Sequence, residues 1–226
     1  MSPILKSGLS WTVTLLVPFT LLMLGARLLL TPLFLEVEYR MPDFPKDDYG
    51  FTLEDRIHWG TPSLVYLTND RGIDYLGELM FDPATSGGQA GPIYNERELS
   101  HMKDVKDVLQ VLLKTWYIAL TILVLLLIVA RRANWLEAYL AGWRRGGFLM
   151  IAALIGFGIF AVSSFWEFFS WFHSLFFKGT SWQFYFSDTL IRLFPMRFWA
   201  DCFIYIGGFA LVIAVVLIFG LKPRKS

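Results

Sequence analysis

Two stretches of this chain hold residue types that together suit proton transfer. In the run NERELSHMKDVKD (95–107), Arg97, His101 and Asp104 stand at i, i+4 and i+7. On a helix they share one face, with Glu98 at its flank. A carboxylate beside an imidazole orients its tautomer and raises its basicity, which is what a general base needs. The same spacing also describes a solvated face of charge pairs, so this helix alone leaves both readings open. The second stretch, WFHSLFFKGTSWQFYFSDTLIRLFPMRFW (171–199), carries His173 among phenylalanines and tryptophans, with Lys178, Asp188, Arg192 and Arg197 nearby. Such rings also serve as interface anchors.

The elements around these stretches decide whether the two histidines can meet. The chain has 226 residues, 55% of them hydrophobic and 17% aromatic, and its mean hydropathy is +0.51. That is too apolar for a soluble domain. Four segments (9–35, 108–130, 148–169 and 199–221) are long enough to cross a hydrocarbon core, which takes about 20 residues each. Lys6, the arginines 131, 132, 144 and 145, and Lys222, Arg224 and Lys225 fall on one side of this layout. Positive residues stay on the cytoplasmic side, so both termini are expected there. Residues 36–107 and 170–198 then lie outside as a small α+β cap and a re-entrant or interfacial loop, bringing His101 and His173 to one face. The expectation is a mainly α membrane protein, a single membrane domain over 1–226.

Local signals fill in the cap. Thr52 with Asp55, and Asn95 with Glu98, have capping-box spacing. Pro62 argues for a break that divides the first helical region into two short pieces. Residues 78–81 and 92–94 flank the turn-rich run DPATSGGQAG (82–91) and suit a hairpin. Ser187 or Asp188 is placed to cap a short helix ending before Pro195. If that helix lies flat on the bilayer, its charges face either the site or lipid phosphates. Glu167 and Arg27 are expected to point into the bundle or toward water. No GxxxG-type face dominates any span. His58, beside Trp59, reads as a surface or packing residue. Cys202, the single cysteine, excludes an intrachain disulfide and reads as a packed apolar residue. A net charge of +1 implies no nucleic-acid partner. Two histidines plus carboxylates are a ligand set zinc also uses, but HExxH or paired HxH spacing is missing, and no metal is expected.

YNERELSHMKDVK (94–106), FHSLFFKGTSWQF (172–184) and SDTLIRLFPMRFW (187–199) resemble the lipoprotein intramolecular transacylase family of four-span bacterial membrane proteins. The resemblance implies a cell-membrane acyltransferase that needs no cofactor. It would move the sn-2 acyl chain of a diacylglyceryl lipoprotein to the α-amino group of that lipoprotein's N-terminal cysteine, leaving a lyso-form product. Its partners would be that lipoprotein and the surrounding lipids. In that family two histidines, one per motif, are the catalytic candidates, and they match His101 and His173. His101 is then the expected base, and His173 the acid or oxyanion donor. Arg97 and Arg192 are second choices as donors, and Glu98, Asp104 and Asp188 are supporting groups. Two other classes fit the residues: a non-enzymatic membrane scaffold or sensor, which would tolerate loss of either histidine, and a membrane metallohydrolase, which a chelator would inactivate.

Overall fold

The computed structural model describes residues 1–81 and 90–221. Among these the elements run α1 (Pro3–Leu29), α2 (Pro32–Tyr39), α3 (Leu53–Thr68), α4 (Asp74–Gly77), β1 (Met80–Phe81), β2 (Gly91–Pro92), α5 (Glu96–Arg132), α6 (Leu136–Ser163), α7 (Phe165–Phe176), α8 (Thr189–Leu193) and α9 (Met196–Gly220). Helices α1, α5, α6 and α9 are long and apolar enough to cross a membrane. The chain is therefore a mainly α, multi-pass membrane protein. Residues 96–107 of α5 are crowded with charge, which hydrocarbon does not accept, so that part of the helix lies outside its membrane-spanning portion.

Several boundaries follow from local chemistry. Helix α1 ends at Leu29, and α2 restarts with Thr31 accepting the Phe34 N–H and Pro32 at its first position. Helix α6 ends where Ser164 is extended, at φ −160° and ψ 101°. Glu167 therefore belongs to the first turn of α7, where it is exposed. Arg27, in the last turn of α1, is half-buried. The capping box at Thr52 and Asp55 is present. Pro62 does not divide the segment that follows, because α3 runs unbroken through it. Buried Ser63, Leu64 and Tyr66 hold the turns beyond the proline in register, so packing overrides the local preference. Strands β1 and β2 pair antiparallel, Met80 opposite Pro92 and Phe81 opposite Gly91. Of the run 82–91 expected to turn between them, Gly91 belongs to β2 instead, and 82–89 lie outside the described residues.

The chain divides into two compact units. The first comprises Met1–Arg27, Leu112–Phe168 and Phe203–Ser226. Its core includes Val13, Val17, Leu123, Tyr139, Met150 and Ala214. Here α6 does carry a close-packing small-residue face. A Cβ added at Gly142 would lie 2.6 Å from the Ser10 carbonyl oxygen, and one at Gly146 would lie 2.5 Å from the Val17 Cβ. The pair was hidden in the sequence by the arginines between them. Thr14 Oγ1 donates to the Gly142 carbonyl at 3.3 Å, and the Arg145 guanidinium donates to Ser10 Oγ at 2.7 Å. Gly146→Ala should therefore cost about 2 kcal/mol by overpacking. Gly156→Ala in the same helix meets nothing within 4 Å and should be neutral or slightly stabilising. Thermal unfolding of both variants in detergent checks the contrast.

The second unit comprises Leu28–Val111 and Phe169–Cys202. One core cluster gathers Tyr66, Leu76, Ile93, Tyr94, Met102 and Leu193. Helix α2 is fixed to α8 by Tyr39 Oη donating to the Leu193 carbonyl at 2.9 Å. Glu38 is fully buried, and among the described residues no N–H or O–H of another kind reaches its oxygens, leaving the Asp201 carboxyl as their neighbour. Burial, and then the Asp201 carboxyl beside it, push Glu38 up to about 7, against the weaker pull of Arg197. A carboxyl raised in the folded state binds a proton that the unfolded chain has released. Its contribution is present below about pH 4.5 and is lost as pH rises through 7. Glu38→Gln keeps the neutral form at every pH. Its stability relative to the parent should rise by about 3 kcal/mol between pH 4.5 and pH 8, read from unfolding midpoints across that range.

Candidate active site

Helix α5 starts where the sequence predicted. Asn95 Oδ1 accepts the Glu98 N–H at 3.0 Å, and the Asn95 N–H donates to Glu98 Oε2 at 2.8 Å. That start sets the rotation of the first turns and turns His101 inward, where it is 8% exposed. Helix α7 presents His173, 9% exposed. The two imidazole rings lie 6.3 Å apart, within 25° of parallel.

The residues around them are aromatic. His101 meets Phe177 at 5.0 Å and Phe184 at 5.3 Å. His173 meets Phe169 at 4.0 Å, Trp182 at 4.8 Å, and Phe177 and Phe172 just beyond. In the sequence these rings read as interface anchors. Here, five of them form the walls of the histidine site instead. Low polarity has an electrostatic result. Burial, then the neighbouring His173, pushes the His101 imidazole down to about 4. Burial also lowers His173, partly offset by its hydrogen bond to Phe169. Both imidazoles are neutral at pH 7.

The two histidines differ in their hydrogen bonding. His173 Nδ1 is 2.9 Å from the Phe169 carbonyl oxygen. A carbonyl can only accept, so Nδ1 carries the hydrogen and Nε2 carries the lone pair. His101 Nδ1 is buried without a hydrogen-bond partner among the described residues, which leaves its tautomer free to suit a bound group.

The other candidate residues serve the frame. Glu98 is 1% exposed, and its second oxygen, Oε1, accepts the Leu190 N–H at 2.7 Å. It ties the start of α5 to the start of α8 and makes no bond to His101. Asp188 caps α8 by position, while its carboxylate takes Arg97 at 2.7 Å, the Asn95 amide at 3.2 Å and the Tyr185 N–H at 2.9 Å. Arg97 also lies over the Phe184 and Tyr185 rings. Arg192 is buried, paired with Asp47 at 3.0 Å and stacked 3.5 Å from the Phe51 centroid. Asp104 is half-buried, and no hydrogen bond among the described residues joins it to either imidazole. The structure therefore brings together His101 and His173, and assigns Arg97, Glu98, Asp188 and Arg192 to holding the loop of 177–188 and α8 in place. Thr189 adds to this by donating to the Ile93 carbonyl at 2.6 Å. Asp47, Phe169 and Trp182 were missed. Asp47 lies 145 positions from Arg192, and nothing in its neighbourhood signals the pairing.

His58 is exposed on α3 with its ring against Trp59, and Cys202 is free and half-buried. Among the described residues no group of three or more His, Cys, Asp or Glu side chains is placed to hold a metal ion.

What the arrangement can do is move one proton in a water-poor site. A fixed imidazole lone pair accepts it, and a second neutral imidazole offers an N–H to a developing oxyanion. Comparison with known proteins finds relatives in sequence and in fold. The family model for the lipoprotein intramolecular transacylase Lit matches residues 11–199. An uncharacterized protein of Aquifex aeolicus (strain VF5) is 28% identical over 222 residues, covering 98% of this chain and 97% of its own. The in meso structure of the membrane integral lipoprotein intramolecular transacylase Lit from Bacillus cereus superposes with a TM-score of 0.78 at 17% identity, over 96% of this chain and 94% of that one.

Proposed function

Because the chain belongs to the lipoprotein intramolecular transacylase family, and so is a transferase of lipoprotein modification, we propose a specific reaction for it. It moves the sn-2 acyl chain of a diacylglyceryl lipoprotein to the α-amino group of the same lipoprotein's N-terminal cysteine. The observation that carries this reading is the pair of buried, neutral imidazoles 6.3 Å apart, one of them with its tautomer set by a backbone carbonyl.

The free α-amine attacks the sn-2 ester carbonyl carbon, forming the C–N bond. His173 Nε2 takes the amine proton, and His101 donates an N–H to the oxyanion. Collapse breaks the bond to the sn-2 oxygen, which receives the proton held by His173, so the product is an amide plus a glyceryl hydroxyl. No proton is gained or lost overall, and no external energy source is needed. The fixed lone pair favours His173 as the base, which exchanges the roles suggested by the sequence alone. Arg97 and Arg192 are engaged with Asp188 and Asp47, which argues against them as oxyanion donors. Nucleophile and ester belong to one molecule, so positioning supplies much of the rate, and aromatic walls keep out the water that would hydrolyse the ester. Positive loop residues favour cytoplasmic termini and an extracytoplasmic site.

Mass spectrometry of an N-terminal lipopeptide tests the reaction, using cells that lack other N-acylating enzymes and express this chain. The expected product has the mass of the diacylglyceryl precursor, with one acyl group on the α-nitrogen. A lipopeptide that keeps both esters and a free amine overturns the proposal.

A further inference from the structure

Trp182 lies in the segment between α7 and α8, where its type and spacing announce no chemistry. Its indole is 9% exposed. It lies 4.8 Å from the His173 ring, inclined by 34°, and 6.2 Å from the Phe169 ring. Phe169 contributes both the carbonyl that accepts the His173 Nδ1–H and a ring 4.0 Å from the imidazole. With centroid separations of 4.0, 4.8 and 6.2 Å, the three rings form a corner with the imidazole at its vertex. One hydrogen bond leaves an imidazole free to flip about its Cβ–Cγ bond, which exchanges Nδ1 for a carbon and removes Nε2 from its place. Two aromatic walls, their planes inclined by 71°, oppose that flip.

We propose that Trp182 is the positioning residue for His173: together with Phe169 it holds the ring in the orientation that keeps the proton on Nδ1 and the lone pair on Nε2. The assignment rests on the reading of His173 as the base. The indole reaches this corner from a segment that Asp188, through Arg97 and Asn95, fastens to α5. Base orientation is therefore coupled to the attachment of that segment at the start of α5. Filling the corner also excludes water, so loss of the indole rehydrates the imidazole.

The test uses the full-length protein in detergent with Trp182→Leu and Trp182→Phe. Nitrogen-15 spectra of the histidines give the tautomer directly, and exposed His58 serves as an internal reference. In the parent, His173 should show a single tautomer with the hydrogen on Nδ1. Trp182→Leu should give a mixture, lower kcat roughly 10- to 100-fold with KM little changed, and move the His173 titration toward the ordinary value near 6.5. Trp182→Phe should restore the single tautomer and most of kcat. Should the leucine variant not fold, Trp182→Met carries the same readouts. A folded leucine or methionine variant with the parent tautomer and titration overturns the proposal, whatever its kcat. His173→Gln with undiminished activity would instead overturn the base assignment, while a tautomer mixture in Trp182→Leu would still establish the ring positioning.

Discussion

His173→Gln should lower kcat/KM for acyl transfer by roughly 10³-fold, equivalent to about 4 kcal/mol of transition-state stabilisation, while the protein remains folded. The fold should tolerate the change because the Phe169 carbonyl still accepts its helical partner N–H after the imidazole is gone. His101→Ala should lose activity to a similar degree. The double variant should lose little more than either single one, since two groups acting in one step are not additive. The pH profile separates this from a site built on an ordinary imidazole. Burial holds His101 near 4 and lowers His173, so as pH falls from 8 to 7 His101 stays neutral and His173 takes up less proton than a free imidazole would. The substrate α-amine, with its pKa near 7.7–8.0, should set the rise of kcat/KM with pH. The same depressed values act on stability with the opposite sign to Glu38. Below about pH 6.5 the unfolded chain binds protons that the folded histidines refuse, so their contribution to stability falls as pH drops. An inflection in kcat/KM near 6.5 that disappears in His173→Gln would contradict the neutral-pair account.

How much of this was readable in advance depends on the range of each interaction. The helices were readable because hydropathy and charge are local sums, and the start of α5 because Asn95 and Glu98 are three apart. The meeting of His101 and His173 followed from topology once both segments were placed on one face. Other features depend on partners distant in sequence. Glu98 Oε1 bonds a residue 92 positions away, and Arg192 an aspartate 145 away. Composition alone could not assign either partner. The phenylalanines and tryptophans were ambiguous for another reason. The same rings suit a membrane interface and a dry active site, and only their distances to the imidazoles assign Phe169, Phe172, Phe177, Trp182 and Phe184 to the latter. Pro62 and the Gly142–Gly146 pair show a third limit. In both, tertiary packing determined what local rules had read otherwise.

Removing the Glu98 carboxylate tests whether that residue serves the frame or the chemistry. Two backbone N–H groups, from Asn95 and Leu190, depend on its separate oxygens in a site 1% exposed. Glu98→Ala leaves the buried Leu190 N–H unpaired, at about 1–3 kcal/mol, and strips the part-buried capping bond from the Asn95 N–H, at about 1 kcal/mol, so a loss of roughly 3 kcal/mol in unfolding free energy is expected. Glu98→Gln has a single acceptor oxygen and can satisfy only one of them. Its second donor then faces the amide NH₂, and the cost should be roughly 2 kcal/mol, read as an intermediate midpoint in denaturant. The glutamine variant also decides between the two roles. If the carboxylate acted on His101 as its charge partner, Glu98→Gln would reduce kcat by orders of magnitude even when fully folded. Because both carboxylate oxygens are committed to backbone donors and neither bonds an imidazole, folded Glu98→Gln assayed at low temperature should keep kcat within about threefold of the parent, a shift of well under 1 kcal/mol. The proton would then pass between substrate and the imidazole pair with no carboxylate in the relay, and the neutrality of both rings would be a property of their aromatic walls.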